Sequence, residues 1–497
     1  MTVNSIRVRI LTLIVATCAS TAVVAATQPW MNTTLSADQR ASLLEAHMTQ
    51  AQKFRLIRSN YGSTHNGLPM PKGALGSAGY VPAVPSLGIP ALQETDAGLG
   101  VAKPHPGGEG ATAMPSGLAS AATWDPHIEY AGGAMIGDEA HRKGFDVMLA
   151  GGVDLVREPR NGRNFEYAGE DPLLAGTMVA SVVRGIQSRH VISTVKHYAV
   201  NDQETARTTI SSELNKAAMR ESDLLAFRIA VTEGHPGAVM CSYNRVNGTY
   251  TCQDPFLLNR VLKQDWGFKG WVMSDWGAVH STVQAANAGL DQESAAREFD
   301  KEIYFGKPLQ SAIADGKVQQ SRVDDMVHRI LRSMFAVGVF DHPPRKRPID
   351  FAADTRVAQK TEEAGAVLLA NHDHLLPLST HLQHIVLIGT HADKGVLSGG
   401  GSSTVRPPGG NVVKGGVPGQ WPGTPMYLPS APLAAIRKLA PGADVQFDSG
   451  SHPAAAARAA AGADVAVVFV HQWEAESFDR PTLALPGNQD ALVAAVA

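Results

Sequence analysis

An α/β chain, laid out as a (β/α)8-like TIM barrel followed by an α/β sandwich domain, is predicted by three observations. The first is length, since 497 residues exceed what one ordinary hydrophobic core fills. The second is a theme that recurs from about residue 85 to 340, an apolar run that ends in a polar cluster and gives way to a helix-period segment. GVDLVREPR, HVISTVKHYAVND, GAVMCSYNRVNG and GWVMSDWGAVH all follow it. Near-continuous Val, Ile and Leu runs mark strands covered on both faces, as in a parallel sheet wrapped by helices. The third is a new α/β alternation beyond residue 360, where GAVLLAN, HIVLIGTH and DVAVVFVHQW read as buried strands among Ala-rich helices such as PAAAARAAAGA.

Taken in order, residues 1–26 read as a secretory signal peptide. Arg7 and Arg9 precede an apolar stretch, and small residues around Ala25 and Ala26 follow. The stretch falls short of the ~20 residues that span a bilayer, and Thr17 is a poor neighbour for lipidation of Cys18. An exported protein is expected, periplasmic or extracellular, with no membrane attachment after cleavage. Residues 27–340 make the barrel. It closes on a helix with Ser321 as N-cap, a stripe of Val323, Met326, Val327, Ile330, Leu331, Met334 and Phe335, and Gly338 as the stop. DHPPRKRPIDF opens a linker over 341–360. Residues 361–497 form the sandwich domain, expected to be C-terminally incomplete because LPGNQDALVAAVA stops within a helical pattern.

Composition narrows the chemistry. A net charge of -3 with 18% charged residues leaves no basic footprint for nucleic acid and suits a small neutral ligand. Cys241 and Cys252 flank the turn-forming Asn247-Gly248 step, so an exported chain would bridge them; two free buried thiols are the alternative. His372, His374, His381 and His384 surround a Leu-Pro-Leu turn without an acid or cysteine partner, so no metal is assigned and no cofactor is implied. GGGSS at 399–403 lacks the lysine of a phosphate cradle and is expected as a loop beside the pocket. Arg157 and Glu158 are expected to form a local ion pair.

The polar strand ends are the candidate site, because barrel enzymes carry their chemistry at the C-terminal ends of their strands. They supply Asp96, Arg163, Lys196, His197, Tyr243 and Asp275 with Trp276. Charged groups of both signs can engage vicinal hydroxyls, and an indole face suits the C–H side of a pyranose. A carboxylate there could attack an anomeric carbon if a second carboxyl group protonated the leaving oxygen. The barrel half offers no obvious partner. The loop HQWEAESFDRPTLALPG of the second domain offers Glu474, Glu476 and Asp479, although an acidic loop is ordinarily only solvated surface.

RNGRNFEYAGEDPLLAG, KHYAVNDQET, MCSYNRVNG and VMSDWGA, in this order, closely resemble glycoside hydrolase family 3, the β-glucosidase and exo-glucanase family; GAVLLANHDHLLPL and GGGSSTVRPPGG extend the resemblance into the second domain. It implies Asp275 as nucleophile, Trp276 as a sugar-stacking residue, and Asp96, Arg163, Lys196, His197 and Tyr243 as ligands of the nonreducing-end sugar. The general acid/base it implies is Glu476, ahead of Ser477-Phe478-Asp479-Arg480, with Glu474 as the alternative. A retaining mechanism follows, in which Asp275 stays ionised in a charged setting, Glu476 keeps its proton in a less polar one, and the carboxyl groups stand roughly 5 to 5.5 Å apart. The expected activity is that of an exo-acting β-glucosidase on β-linked oligosaccharides or glycosides, oligomeric state unspecified. A β-xylosidase or broad exo-β-glucanase, or a noncatalytic sugar-binding protein, are the alternatives.

Overall fold

The computed structural model describes residues 28–102, 110–413 and 421–497, so the expected signal peptide lies outside the described residues. No helix among the described residues is long and apolar enough to cross a membrane.

Seven strands of the first domain form one sheet in spatial order: β1 (Asn60–Tyr61), β2 (Gly79–Val81), β3 (Leu92–Asp96), β4 (Val147–Leu149), β5 (Ile192–Tyr198), β6 (Ala238–Cys241) and β7 (Trp271–Ser274). From β3 to β7 neighbours are parallel. Helices α1 (Pro126–Lys143), α2 (Pro172–Gln187) and α3 (Asp223–Gly234) fill the crossovers from β3 to β6. β2 is antiparallel to both neighbours. Its connection to β3 carries only the short 3-10 turn Pro85–Leu87, and a parallel pair needs a longer, usually helical, crossover. The sheet curls until single parallel bridges, Met273 to Gln292 and Arg58 to Glu293, draw its two edges together. Of the expected (β/α)8-like barrel, the described residues form a curled sheet with one reversed strand and a bridged seam. At the seam the DQES segment adds side-chain bonds to its backbone bonds with both edges: Asp291 accepts from Val272 N (2.7 Å), and Gln292 donates to Leu56 O (2.9 Å).

Several local expectations also shift. GVDLVREPR follows β4 as a loop, buried at Val153, Asp154 and Leu155 and exposed at Arg157, Pro159 and Arg160; the strand itself is the VML just before it. The closing helix α4 (Gln320–Val337) buries the expected stripe and ends at Gly338, but its N-cap is Gln319, not Ser321. The second half of the linker is helix α5 (Phe351–Gly365), capped by Asp350, whose side chain accepts from Ala353 N. Val357 and Ala358 of α5 pack on the first domain's core, which anchors the expected linker.

The second domain centres on three parallel strands, β8 (His384–Ile388) between β9 (Asp444–Asp448) and β10 (Val465–Val468). Ile385 and Leu387 enter one apolar cluster and Val386 and Ile388 another, the two-faced burial of a sheet layered between helices. GAVLLAN, expected as a further buried strand, is irregular, with Leu369 92% exposed. An apolar run becomes a strand only where an edge can satisfy its backbone, and no described strand pairs with this one. Cys241 and Cys252 are joined in a disulfide around the Asn247-Gly248 turn, where both residues have positive φ.

Candidate active site

The C-terminal ends of β3, β5, β6 and β7 bring the expected residues into one cluster. Asp275 follows Ser274, the last residue of β7, and its backbone N–H donates to Cys241 O of β6 (3.1 Å), continuing the ladder by one rung. Its Oδ1 accepts from Trp276 N (2.8 Å). The Trp276 indole is fixed by donation to Ala78 O (3.1 Å). His197 on β5 holds Nε2 3.8 Å from Asp275 Oδ2, while its Nδ1 faces the Tyr167 hydroxyl (3.2 Å) and Asp154 Oδ2 (3.5 Å). Burial, then the charges of Arg163, Lys196 and Arg207, push the imidazole well below its ordinary range, so it is neutral. Asp154 clamps the turn after β5 by accepting from His197 N (2.6 Å) and Asn201 N (3.2 Å). This carboxylate is what the GVDLV loop contributes.

Asp96 ends β3 within electrostatic reach of Lys196, Glu476, Asp275 and Arg163. Burial is the first cause that lifts its carboxyl to about 7. Arg163, 1% exposed, is locked by a bidentate pair to Glu166 (2.9 Å each). The Tyr243 ring lies under the Arg207 guanidinium, 4.6 Å from its centroid, and its hydroxyl feels the charge of Asp275.

Glu476 enters this cluster from the second domain. Its Oε1 accepts from Arg207 Nη1 (2.9 Å) and lies 3.4 Å from Arg163 Nη1. Its Oε2 accepts from Ser402 N (2.9 Å) and Ser402 Oγ (2.6 Å). The GGGSS loop thus lies beside the pocket, zipped to the acidic loop by a parallel bridge between Gly400 and Ala475. Gly401 has φ +105 and a Cβ there would stand 2.4 Å from Glu476 Cβ, so only glycine admits the contact. Asp479 staples the loop to the first domain by accepting from Gly162 N (3.1 Å), Glu204 N (2.9 Å) and Thr205 N (2.7 Å). Glu204 returns the contact by accepting from Ser477 N (2.6 Å). Glu474 faces away, 3.7 Å from Arg480.

The expected division of proton affinity is inverted. Burial lifts Asp275 above its ordinary value against the pull of Arg207 and Arg163. Burial would also lift Glu476, but Arg163, Arg207 and the two Ser402 hydrogen bonds outweigh it and hold the carboxyl well below the usual range. The charged, donor-rich setting expected for Asp275 surrounds Glu476 instead.

Sequence reasoning missed Arg207, Ser402 and the Asp479 staple. Arg207 lies within NDQETARTTI, ten residues after His197, and Ser402 lies in the glycine loop; each becomes legible only once the domains are brought together. Arg157 and Glu158 do not pair with each other. Arg157 binds Asp223 (2.6 Å) and Asp202 (3.2 Å), and Glu158 binds Arg160 (2.8 Å), because successive side chains diverge. The four histidines near the Leu-Pro-Leu turn are exposed, and no group of three or more metal-binding side chains forms among the described residues.

Residues 78–333 match the profile of the glycosyl hydrolase family 3 N terminal domain, and residues 366–497 that of its C-terminal domain. The chain belongs to glycosyl hydrolase family 3. A beta-glucosidase of Rhizobium radiobacter is 38% identical over 328 residues, 65% of this chain and 40% of that protein. A probable beta-glucosidase L of Aspergillus terreus is 35% identical over 451 residues, 87% of this chain and 58% of that protein. The chain thus spans about half the length of these curated relatives. Among solved structures, beta-glucosidase 3B of Thermotoga neapolitana in complex with glucose superposes with a TM-score of 0.80 at 27% identity, covering 92% of this chain and 66% of that one. The family 3 assignment thus covers both domains, joined through the loop that carries Glu476.

Proposed function

We propose that this family 3 chain is an exo-acting β-glucosidase that removes terminal nonreducing β-D-glucosyl residues with retention of configuration. The observation that carries the reading is the insertion of Glu476, from the second domain, into the arginine pair that also acts on Asp275. Two carboxyl groups facing one set of polar ligands at the mouth of a barrel-like sheet suit a double displacement. Asp275 attacks the anomeric carbon and forms a covalent glycosyl-enzyme; Glu476 protonates the departing oxygen and then activates water. Asp96, Arg163, Lys196, His197 and Tyr243 bind the sugar hydroxyls, and Trp276 stacks on the ring. The resting Glu476 is already the carboxylate that the second step needs. To serve the first step it must take up a proton from solvent as the substrate's glycosidic oxygen displaces Arg207 from it, and then pass that proton to the departing oxygen.

A 2-deoxy-2-fluoro glucosyl fluoride, which forms the glycosyl-enzyme faster than water releases it, tests the reading. Mass spectrometry should find one sugar adduct on the peptide holding Asp275, and Asp275→Asn should abolish both the adduct and turnover of an aryl β-glucoside with the fold intact. An adduct on another carboxylate, or product released as the α-anomer, would overturn the assignment.

A further inference from the structure

Glu94 has no part in this reaction and yet is an expensive residue to keep. It is 1% exposed, and neither carboxyl oxygen has a hydrogen-bond partner among the described residues. The pleat of β3 puts it on the face of Asp96, one layer beneath the pocket. Gln93 points the other way and donates to Gly73 O (2.8 Å). Space for the acid comes from β2, where its register partner is Gly79; a Cβ at Gly79 would stand 1.7 Å from Glu94 Oε2. On β4 its register partner is Val147. Neither partner titrates, and Asp96 is the charged group that acts on Glu94. An apolar side chain would fill this space without the cost of burying an unpaired acid, so packing does not account for the residue.

We propose that Glu94 is a positioning residue for Asp96, an acid set beneath the pocket floor that keeps the Asp96 carboxylate available to sugar hydroxyls. The inference rests on the reading of Asp96 as a sugar ligand. Burial, with Asp96 as the second cause, pushes the Glu94 carboxyl up to about 8, above the value of about 7 for Asp96, so as pH rises Asp96 ionises first and carries the first anion on that face of the strand. When Glu94 ionises, a second anion stands about 7 Å beneath the first, two strand residues away. The two like charges repel, the Asp96 carboxylate turns aside, and its grip on the sugar weakens. Asp275 and Glu476 keep their own partners, so the loss falls on binding more than on bond cleavage.

The test is the pH dependence of KM and kcat on an aryl β-glucoside for wild type and Glu94→Gln. Between pH 7 and 9 wild-type KM should rise about tenfold relative to that of the amide variant, in which Asp96 ionises with no second acid beneath it; the same course in the variant overturns the inference. A second readout is thermal. The folded carboxyl titrates above its unfolded value of 4.5, so its stability contribution falls as pH rises from there to about 8, and the Tm advantage of Glu94→Gln should grow across that window. If the variant fails to fold, infrared titration of the protonated-carboxyl band in wild type and Asp96→Asn replaces it. A midpoint near 8 that falls when Asp96 loses its charge is expected, and an unmoved midpoint overturns the link. Absence of all glucoside turnover would sink the proposed function instead, and the infrared result would still decide the coupling.

Discussion

The two acids at the centre of the site reach it by opposite means. Asp275 extends a strand by one rung, so the sheet that buries Trp271, Val272 and Met273 also fixes its backbone. Glu476 rides a loop whose backbone bridge runs only to another loop, at Gly400, and which polar staples hold to the first domain; Asp479 alone takes three backbone N–H groups there. A strand end supplies position as a by-product of the core, whereas a loop must borrow rigidity from whatever it touches. The same contrast explains the inverted electrostatics. The groups that anchor Glu476 are cations and donors, and they stabilise its charge as they fix its place; Asp275 is held mainly by backbone and meets burial with fewer donors.

Breaking the chemistry of the loop-borne acid should have the largest effect. Glu476→Gln keeps the Ser402 and Arg207 contacts in outline but removes proton transfer, and kcat on a glucoside with a poor leaving group should fall about 10²- to 10⁴-fold. With an activated aryl leaving group the first step needs no acid, and azide should restore turnover while yielding the β-glucosyl azide. Breaking the staple comes next. Asp479→Ala releases three N–H groups at the domain junction, and a displacement of the loop by about 1 Å should cost roughly 100-fold in kcat with Asp275 still open to the fluoro-sugar trap. Removal of a cation is smaller and more diagnostic. Arg207 lowers the proton affinity of both acids, so Arg207→Gln should raise both. Because the affinities are inverted, the lower limb of kcat/KM reports Glu476 and the upper limb Asp275; both limbs, and the bell as a whole, should therefore move to higher pH.

The same distinction between strand and loop governs what could be read beforehand. Strand-borne residues were legible, because an apolar run followed by a polar step places the step at a strand end, as with Lys196, His197 and Asp275. The pairing of two domains was legible in outline. Reversed β2 was not, since nothing in GYV signals direction; the brevity of its connection to β3 does, and only once both strands are located. Arg207, Ser402 and Asp479 were hidden for a deeper reason: their partners lie 269, 74 and 274 to 317 residues away, on loops without periodicity. GAVLLAN shows the converse error, an apolar pattern with strand character that finds no edge to join.

The smallest expected effect separates two neighbouring glutamates. Electrostatics taken alone favours Glu474 as the acid, since burial raises its carboxyl while Glu476 is held down. Geometry favours Glu476. Glu474 lies 3.7 Å from Arg480, whose backbone N–H is tied to Arg160 O (2.8 Å) beneath the junction, whereas Glu476 shares its arginine with the Asp275 side of the pocket. Proton transfer requires reach before it requires the right affinity, and substrate can change an affinity by displacing a cation but cannot move a backbone anchored on both sides. Glu474→Gln should therefore change kcat by no more than about threefold and leave both limbs of the pH profile in place, because the neutral amide still fills the site beside Arg480. A loss as large as that of Glu476→Gln, rescued by azide in the same way, would transfer the acid role to Glu474 and reduce Glu476 to an anchor for the two arginines.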